Sequence, residues 1–294
     1  TLSIRIWAAP YRDTPAGGEA GRCSRKLRGR PLALKRYYLW NIGCQMNRAD
    51  AYRAQEQLEA LGYRPTDRPE RANVLVLNTC VVRQSAEDRV VGRLSSLRPL
   101  VDAGRDRTLL VMGCFVDGDE PALRARFPYV DAFLRPSDVD GLLAYVRAWE
   151  ADRFPDAAEG GCLVTPPQVA DLVPISYGCD HHCTYCVVTI RRGPQRSRPI
   201  PEIVADVRRL VGGGAREIML LGQNGDAYGT DLPGPGRPDL ADVLEAVHGI
   251  EELWRIRFLT SHPQDMSPRI IARVGALHKV CPCWELAVQS GDDD

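Results

Sequence analysis

The chain has 294 residues, 44% of them hydrophobic and 26% charged, with 26 Gly and 22 Pro; this balance suits about two globular domains and excludes collagen, coiled coil and long disorder for most of it. Thirty-eight basic residues cancel thirty-eight acidic ones, which excludes a globally basic nucleic-acid binder but not a local basic surface. No run of about 18 apolar residues is present, so no membrane partner is expected.

Only Lys26, Lys35 and Lys279 are lysines, so Arg supplies nearly all the positive charge. Ten cysteines are too few for a disulfide scaffold of this length, and the N-terminus has no apolar stretch of the kind that directs export. The expected setting is cytoplasmic, where thiols stay reduced and patterned cysteines mark metal or catalytic sites. The chain opens on Thr1 and ends on three aspartates, and both ends read as cuts in a longer product.

Residues 1–35 lack periodicity and carry a basic run (Arg22, Arg25, Lys26, Arg28, Arg30), so they read as a disordered tail. Tyr37–Ile42 is a strand-length apolar run, followed by Ala54, Leu58 and Leu61 at helical spacing. Val74–Leu77 is a second strand, and Val90, Val91, Leu94 and Leu97 form a second helical stripe. Further strands are expected at Leu109–Met112 and Val130–Leu134, with a helix from Ser137, as N-cap, to about Trp149. The alternation predicts an α/β domain over residues 36–150, built on a parallel sheet.

Residues 151–170, rich in Asp, Gly and Pro, read as a linker. Beyond them Val173–Ser176 is strand-like, and Pro201 opens a helix bearing Ile203, Val204, Val207, Leu210 and Val211 that ends at Gly212-Gly213-Gly214. A strand at Glu217–Leu221, a helix at Leu240–Val247, a strand at Arg255–Leu259 and a helix capped by Ser267 follow. A fourth strand is expected at Glu285–Val288, left as an unpaired edge. These units predict a partial (β/α) barrel over residues 171–294.

The strongest motif is Cys179-Asp-His-His-Cys183-Thr-Tyr-Cys186, three thiols at C-x3-C-x2-C spacing just past a predicted strand. Three cysteines in one tight loop suit a 4Fe-4S cube and leave one iron open for a ligand. The alternative is a closed zinc site, for which His181 or His182 would have to fold back as fourth ligand; both read better as loop residues. Cys44, Cys80 and Cys114 each follow a predicted strand, at intervals of 36 and 34 residues. In a parallel sheet all carboxyl ends open on one edge, so these three should meet as a second cluster site. Cys23, Cys162, Cys281 and Cys283 follow no such rule.

On these motifs the chain resembles the radical S-adenosylmethionine (SAM) methylthiotransferase family. The resembling segments run from Gly43-Cys44-Gln45-Met46-Asn47 and Asn78-Thr79-Cys80-Val81-Val82-Arg83 through Gly113-Cys114 to Tyr185-Cys186-Val187-Val188. They continue with Arg192-Gly193, Arg196-Ser197-Arg198-Pro199, Leu221-Gly222-Gln223-Asn224, Thr260-Ser261-His262-Pro263 and Gln289-Ser290-Gly291. The resemblance implies two 4Fe-4S clusters. One, on Cys179, Cys183 and Cys186, binds SAM and cleaves it to a 5′-deoxyadenosyl radical. The other, on Cys44, Cys80 and Cys114, carries the sulfur, and a second SAM supplies the methyl group.

The resemblance also implies SAM contacts for Arg192, Gln223, Asn224, Ser261 and Gln289, with Arg191, Arg196 and Arg198 as candidates for phosphates or the SAM carboxylate. Among the branches, the first-half strings look most like the one that converts N6-isopentenyladenosine at position 37 of tRNA to its 2-methylthio derivative. Partners are then a tRNA anticodon loop, a reductant and a sulfur donor. The branches acting on threonylcarbamoyl-adenosine or on ribosomal protein S12 are the enzymatic alternatives, and a zinc-scaffold protein is the non-enzymatic one. Thr189, Glu285 and Ala287 depart from residues usual in the family, and the remaining barrel strands and the small RNA-gripping TRAM domain are expected beyond residue 294.

Overall fold

A computed structural model of the chain describes residues 35–289 apart from 105, 117 and 154–167. The predicted tail and most of the predicted linker, with Cys23, Cys162, Ser290 and Gly291, lie outside the described residues.

The first sheet grows from β1 (Arg36–Asn41), β2 (Arg64–Pro65), β3 (Val74–Thr79), β4 (Thr108–Gly113) and β5 (Ala132–Leu134), in the order β2-β1-β3-β4-β5 with every pair parallel. Both central strands, β3 and β4, are buried at every residue, the state in which a strand reads as a continuous apolar run. One face, with Leu75, Leu77, Leu109 and Val111, packs on Val90, Leu94 and Leu97 of α2 (Gln84–Asp102) and Leu123 of α3 (Glu120–Arg126). The other, with Val74, Val76, Leu110 and Met112, packs on Ala54 and Leu58 of α1 (Gln45–Ala60) and Leu142 and Val146 of α4 (Val139–Arg153).

The second sheet is β10-β9-β6, again all parallel, from β6 (Ala170–Pro174), β9 (Glu217–Leu221) and β10 (Arg255–Leu259). Val173, Ile218, Leu220, Ile256 and Phe258 point toward α6 (Ile200–Gly212), α7 (Leu240–His248) and α8 (Pro268–Ala276), whose apolar faces complete that core. Its opposite face, with Leu172, Met219, Leu221 and Leu259, receives Met46 and Ala49 from α1. One helix thus packs on both sheets, and both sheets fall in one compact unit.

Three expectations are corrected. Val173–Ser176 is not one strand: β6 stops at Pro174, and Ser176–Tyr177 forms β7, which pairs antiparallel with β8 (Arg196–Ser197). Ser137 does not cap α4, because Asp138 accepts the Gly141 N–H at 2.9 Å while Ser137 takes φ +64 and turns its hydroxyl elsewhere. Glu285–Val288 is no strand: the segment touches the β10 side only through single parallel bridges, Val280 to Ile256 and Leu286 to Ser261. Between those bridges Pro282 has no N–H to give a ladder, and Cys283 donates back to the Cys281 carbonyl at 2.8 Å, closing a turn. Ser267 does cap α8, accepting the Ile270 N–H at 3.2 Å.

Candidate iron–sulfur sites

The carboxyl edge of the first sheet is where its chemistry gathers. Register pairs Asn41 with Asn78 and Thr79 with Gly113, so β1, β3 and β4 end level. The next residues include the three cysteines. Cys80 directly follows β3; Cys114 directly follows β4 and donates its N–H to the Thr79 carbonyl at 3.0 Å. Cys44 is the N-cap of α1, in extended conformation. Gly43 and Gly113 take φ +137 and +106, and a Cβ on Gly43 would stand 2.8 Å from the Cys80 Cβ. Cys80 and Cys114 are buried and Cys44 is exposed. Burial pushes the Cys114 thiol up, with Arg192 opposing and the neighbouring Cys80 and Cys44 adding to the rise.

Beneath the trio lies a buried polar floor. Asn47 Nδ2 donates to the carbonyls of Thr79 (2.7 Å) and Ile42 (3.1 Å). Asn78 Nδ2 donates to the Asn47 carbonyl (2.6 Å) and to Asn41 Oδ1 (3.0 Å), and Thr79 Oγ1 donates to the Met112 carbonyl (2.7 Å). Buried amides persist only when so paired. This floor fixes where three strand ends stop, and hence where the cysteines start. In the sequence the one signal for this floor is the polar pair Asn78-Thr79 closing the apolar Val-Leu-Val-Leu run.

The second trio sits in the loop between β7 and α5 (Val188–Arg192). The Cys179 sulfur accepts the His181 N–H and the Cys186 sulfur accepts the Val188 N–H, both at 3.4 Å, and the Cys186 N–H reaches the Cys183 carbonyl at 3.0 Å. Burial pushes the Cys179 thiol up, and Cys186 and Cys183 add to the rise.

The donor spacing speaks to which metal group fits. A tetrahedral zinc ion draws thiolates to about 3.8 Å from one another. Among the described residues, His181, His262 and Asp265 form the one set of three His, Cys, Asp or Glu ligand atoms within 4.8 Å of one another. The histidine set is a poor ion site, because the two rings stack face to face with centroids 4.3 Å apart and 15° between planes. Their lone pairs therefore run side by side instead of converging. His181 Nε2 instead meets Asp265 Oδ2 at 2.5 Å, while His182 is exposed.

Of the residues read as SAM contacts, Asn224 and Ser261 are buried past the ends of β9 and β10. Asn224 Nδ2 donates to Asp265 Oδ2 at 2.6 Å and leaves its Oδ1 without a partner among the described residues. Ser261 Oγ donates to Asp226 Oδ1 at 3.3 Å. Burial pushes the Asp226 carboxyl up to about 6, against the pull of Ser261. Gln289, at φ +67, accepts the Tyr185 hydroxyl of the cysteine loop. Gln223 is half-buried beside Asn224. Asp226 and Asp265 were missed, and only their position just past strand ends hinted at them.

Arg192, expected as a SAM contact, reaches toward the first sheet. It leaves the end of α5, donates to Asn47 Oδ1 at 2.7 Å and Ser137 Oγ at 3.2 Å and pairs with Asp50 Oδ2 at 3.6 Å; Asn47 Oδ1 also accepts the Cys44 thiol at 3.6 Å. Arg198 is committed to the Pro174 carbonyl and Asp206, each at 2.7 Å, so its donors hold the fold rather than a ligand.

Residues 36–135 match the family described as uncharacterized protein family UPF0004, and residues 173–294 match the radical SAM superfamily. Among curated proteins, the chain is 47% identical to the tRNA-2-methylthio-N(6)-dimethylallyladenosine synthase of Roseiflexus sp. (strain RS-1), over 88% of this chain and 54% of that one. It is 42% identical to the protein of that name from Herpetosiphon aurantiacus, over 89% and 59%, and 37% identical to that from Symbiobacterium thermophilum, over 94% and 61%. The chain thus spans a little over half the length of these relatives. Among the described residues no helix is long and apolar enough to cross a membrane.

Proposed function

We propose that the chain, which matches UPF0004 over residues 36–135 and the radical SAM superfamily over residues 173–294, is the two-cluster part of a tRNA methylthiotransferase. Its product would be 2-methylthio-N6-isopentenyladenosine. The observation that carries the reading is the convergence of Cys44, Cys80 and Cys114 at one sheet edge, with Arg192 from the Cys179–Cys186 side reaching the Asn47 amide that accepts the Cys44 thiol. When bound, the cluster on Cys179, Cys183 and Cys186 supplies the electron that cleaves SAM, and the cluster on Cys44, Cys80 and Cys114 supplies the sulfur.

The protein's own part is to bind, orient and exclude water. Asn224 and Ser261, buried and facing the cysteine loop's partner Asp265 and the protonatable Asp226, are the proposed SAM contacts, with Gln223 and Gln289 beside them. Residues 36–150 serve the sulfur-bearing cluster and residues 171–294 the SAM cluster. Large apolar side chains stand exposed on the cysteine-bearing loops, at Val82 and Tyr185, and on the helix that follows, at Ile190. They suit an unstacked base, which a target adenine in an anticodon loop must become before its C2 is reached. A tRNA substrate sets the enzyme in the cytoplasm, with a reductant and a sulfur donor as further partners.

The names of the relatives favour the isopentenyladenosine substrate over threonylcarbamoyl-adenosine or a ribosomal protein. Mass spectrometry of tRNA nucleosides from a strain lacking the gene tests this. Loss of the methylthio nucleoside, with isopentenyladenosine accumulating, is expected; an unchanged methylthio peak would overturn the substrate.

A further inference from the structure

The carboxyl end of β1 borders a groove that neither cysteine trio uses. Trp40 and Ile42 line it on the β1 side, and Arg89, Gly92, Arg93 and Ser96 line it from α2, around a cleft of about 510 Å³. That volume falls in the range of clefts that take small ligands. β2 pairs with β1 only at Arg36 and Tyr37, so the rest of β1 forms the outer edge of the sheet.

The two arginines of the groove are cations in want of an anion. They stand four residues apart on α2, where like charges repel, and neither has an acidic residue three or four positions away. Arg89 is exposed and makes no hydrogen bond or ion pair among the described residues. Arg93 lies over the Tyr38 ring, 5.3 Å from its centroid, and donates to the Tyr38 hydroxyl. Its buried Nε has no partner among the described residues, and a buried donor left unpaired costs more than a formed hydrogen bond returns. Beside them Trp40 presents a half-buried indole. Cations for a phosphate next to an aromatic face for a base are the two parts of a grip on single-stranded RNA. An acidic peptide would answer the arginines and leave the indole unused.

We propose that this groove is an RNA subsite, in which Arg89 and Arg93 hold a phosphate and Trp40 stacks a base of a nucleotide flanking the one delivered to the sulfur-bearing site. This rests on the reading of the substrate as a tRNA. A loop that unstacks to present one base needs a separate hold on that base's neighbours. The groove is placed to supply it, because Ile42 lies two residues before Cys44 and α2 starts at Gln84, just past Cys80.

The test is fluorescence anisotropy of a labelled, unmodified anticodon stem–loop RNA titrated with the full chain across a salt series. Arg89→Gln is expected to weaken binding about fivefold near 0.1 M salt and to flatten the slope of log K against log salt by about 0.7, the share of one phosphate contact. Trp40→Leu is expected to weaken binding about tenfold with the slope unchanged, as lost stacking does, and Trp40→Phe to recover part of it. If Trp40→Leu does not fold, the exposed Arg89 decides the matter alone. Arg98→Gln, on the same helix but paired with Asp102, is the control and should bind as the parent does. Parental affinity and slope in Arg89→Gln, or a loss no larger than that of Arg98→Gln, would overturn the proposal while the tRNA reading stands. Displacement of the RNA by polyglutamate as readily as by unlabelled RNA would overturn it in favour of an acidic peptide. The expected losses alongside an unchanged methylthio peak in the deletion strain would keep the groove and sink the substrate reading. A parent that binds no RNA would sink both.

Discussion

Gly113 offers the sharpest test of how the sheet edge builds the first cysteine site. It closes β4 at φ +106, and a methyl there would stand 2.4 Å from the Thr79 carbonyl oxygen, 2.8 Å from the Thr79 nitrogen and 2.9 Å from Asn78 Oδ1. Ordinary contact begins near 3.4 Å, so the end of β4 must draw back from β3 by about 1 Å. Cys114 goes with it, since its N–H is held by that same Thr79 carbonyl. The backbone conformation costs an alanine about 1–3 kcal/mol, and forcing β4 off its neighbour costs about as much again. The sum, roughly 2–5 kcal/mol, is a large share of the 5–15 kcal/mol that holds a typical domain. Gly113→Ala is therefore expected to melt roughly 5–15 °C lower and, after reconstitution, to hold about four irons per chain instead of about eight, because the Cys179–Cys186 loop is untouched. Gly92→Ala, on the exposed side of α2 with nothing within 4 Å, is the control and should stabilise by up to about 1 kcal/mol. A Gly113→Ala protein with full iron and an unchanged melting point would refute the argument that this strand end positions Cys114.

Separate roles for the two trios predict that Cys183→Ala abolishes SAM cleavage, whereas Cys80→Ala keeps some unproductive cleavage and loses sulfur insertion; equal loss of both in Cys80→Ala, measured as 5′-deoxyadenosine and methylthio product by mass spectrometry, would count against two sites. Burial raises Asp226 from 3.8 to about 6, so its contribution to stability is complete below about pH 4 and fades as pH rises through 6. Asp226→Asn has no such titration, and its loss of unfolding free energy between pH 4.5 and 8 should be smaller than the parent's by about 2 kcal/mol; urea titrations with the same pH slope in both proteins would contradict the burial argument.

Much of the site was legible before any coordinates. The C-x3-C-x2-C loop is local, so its three sulfurs needed no fold to bring them together. Cys44, Cys80 and Cys114 are far apart in sequence, yet the apolar runs before them announced strands, and parallel strands share one carboxyl edge. The strand at Glu285–Val288 failed because the segment meets the end of β10 through a single bridge, Leu286 to Ser261, which makes no ladder. The N-cap at Ser137 failed because Asp138, one residue on, caps the helix while the Ser137 hydroxyl serves Asp50 and Arg192.

The sequence by itself determined most of the elements, the strand-end phase of Cys44, Cys80 and Cys114 and the local C-x3-C-x2-C loop, since these follow from short-range periodicity and the single sense of a parallel sheet. Only the tertiary structure decided that α1 is shared, with Ala54 and Leu58 on one sheet and Met46 and Ala49 on the other. The same packing brought Arg192 to Asn47 and Asp50. A helical stripe tells which face is buried but not against what, and an arginine's reach of several ångströms lets docking, not spacing, choose its partner.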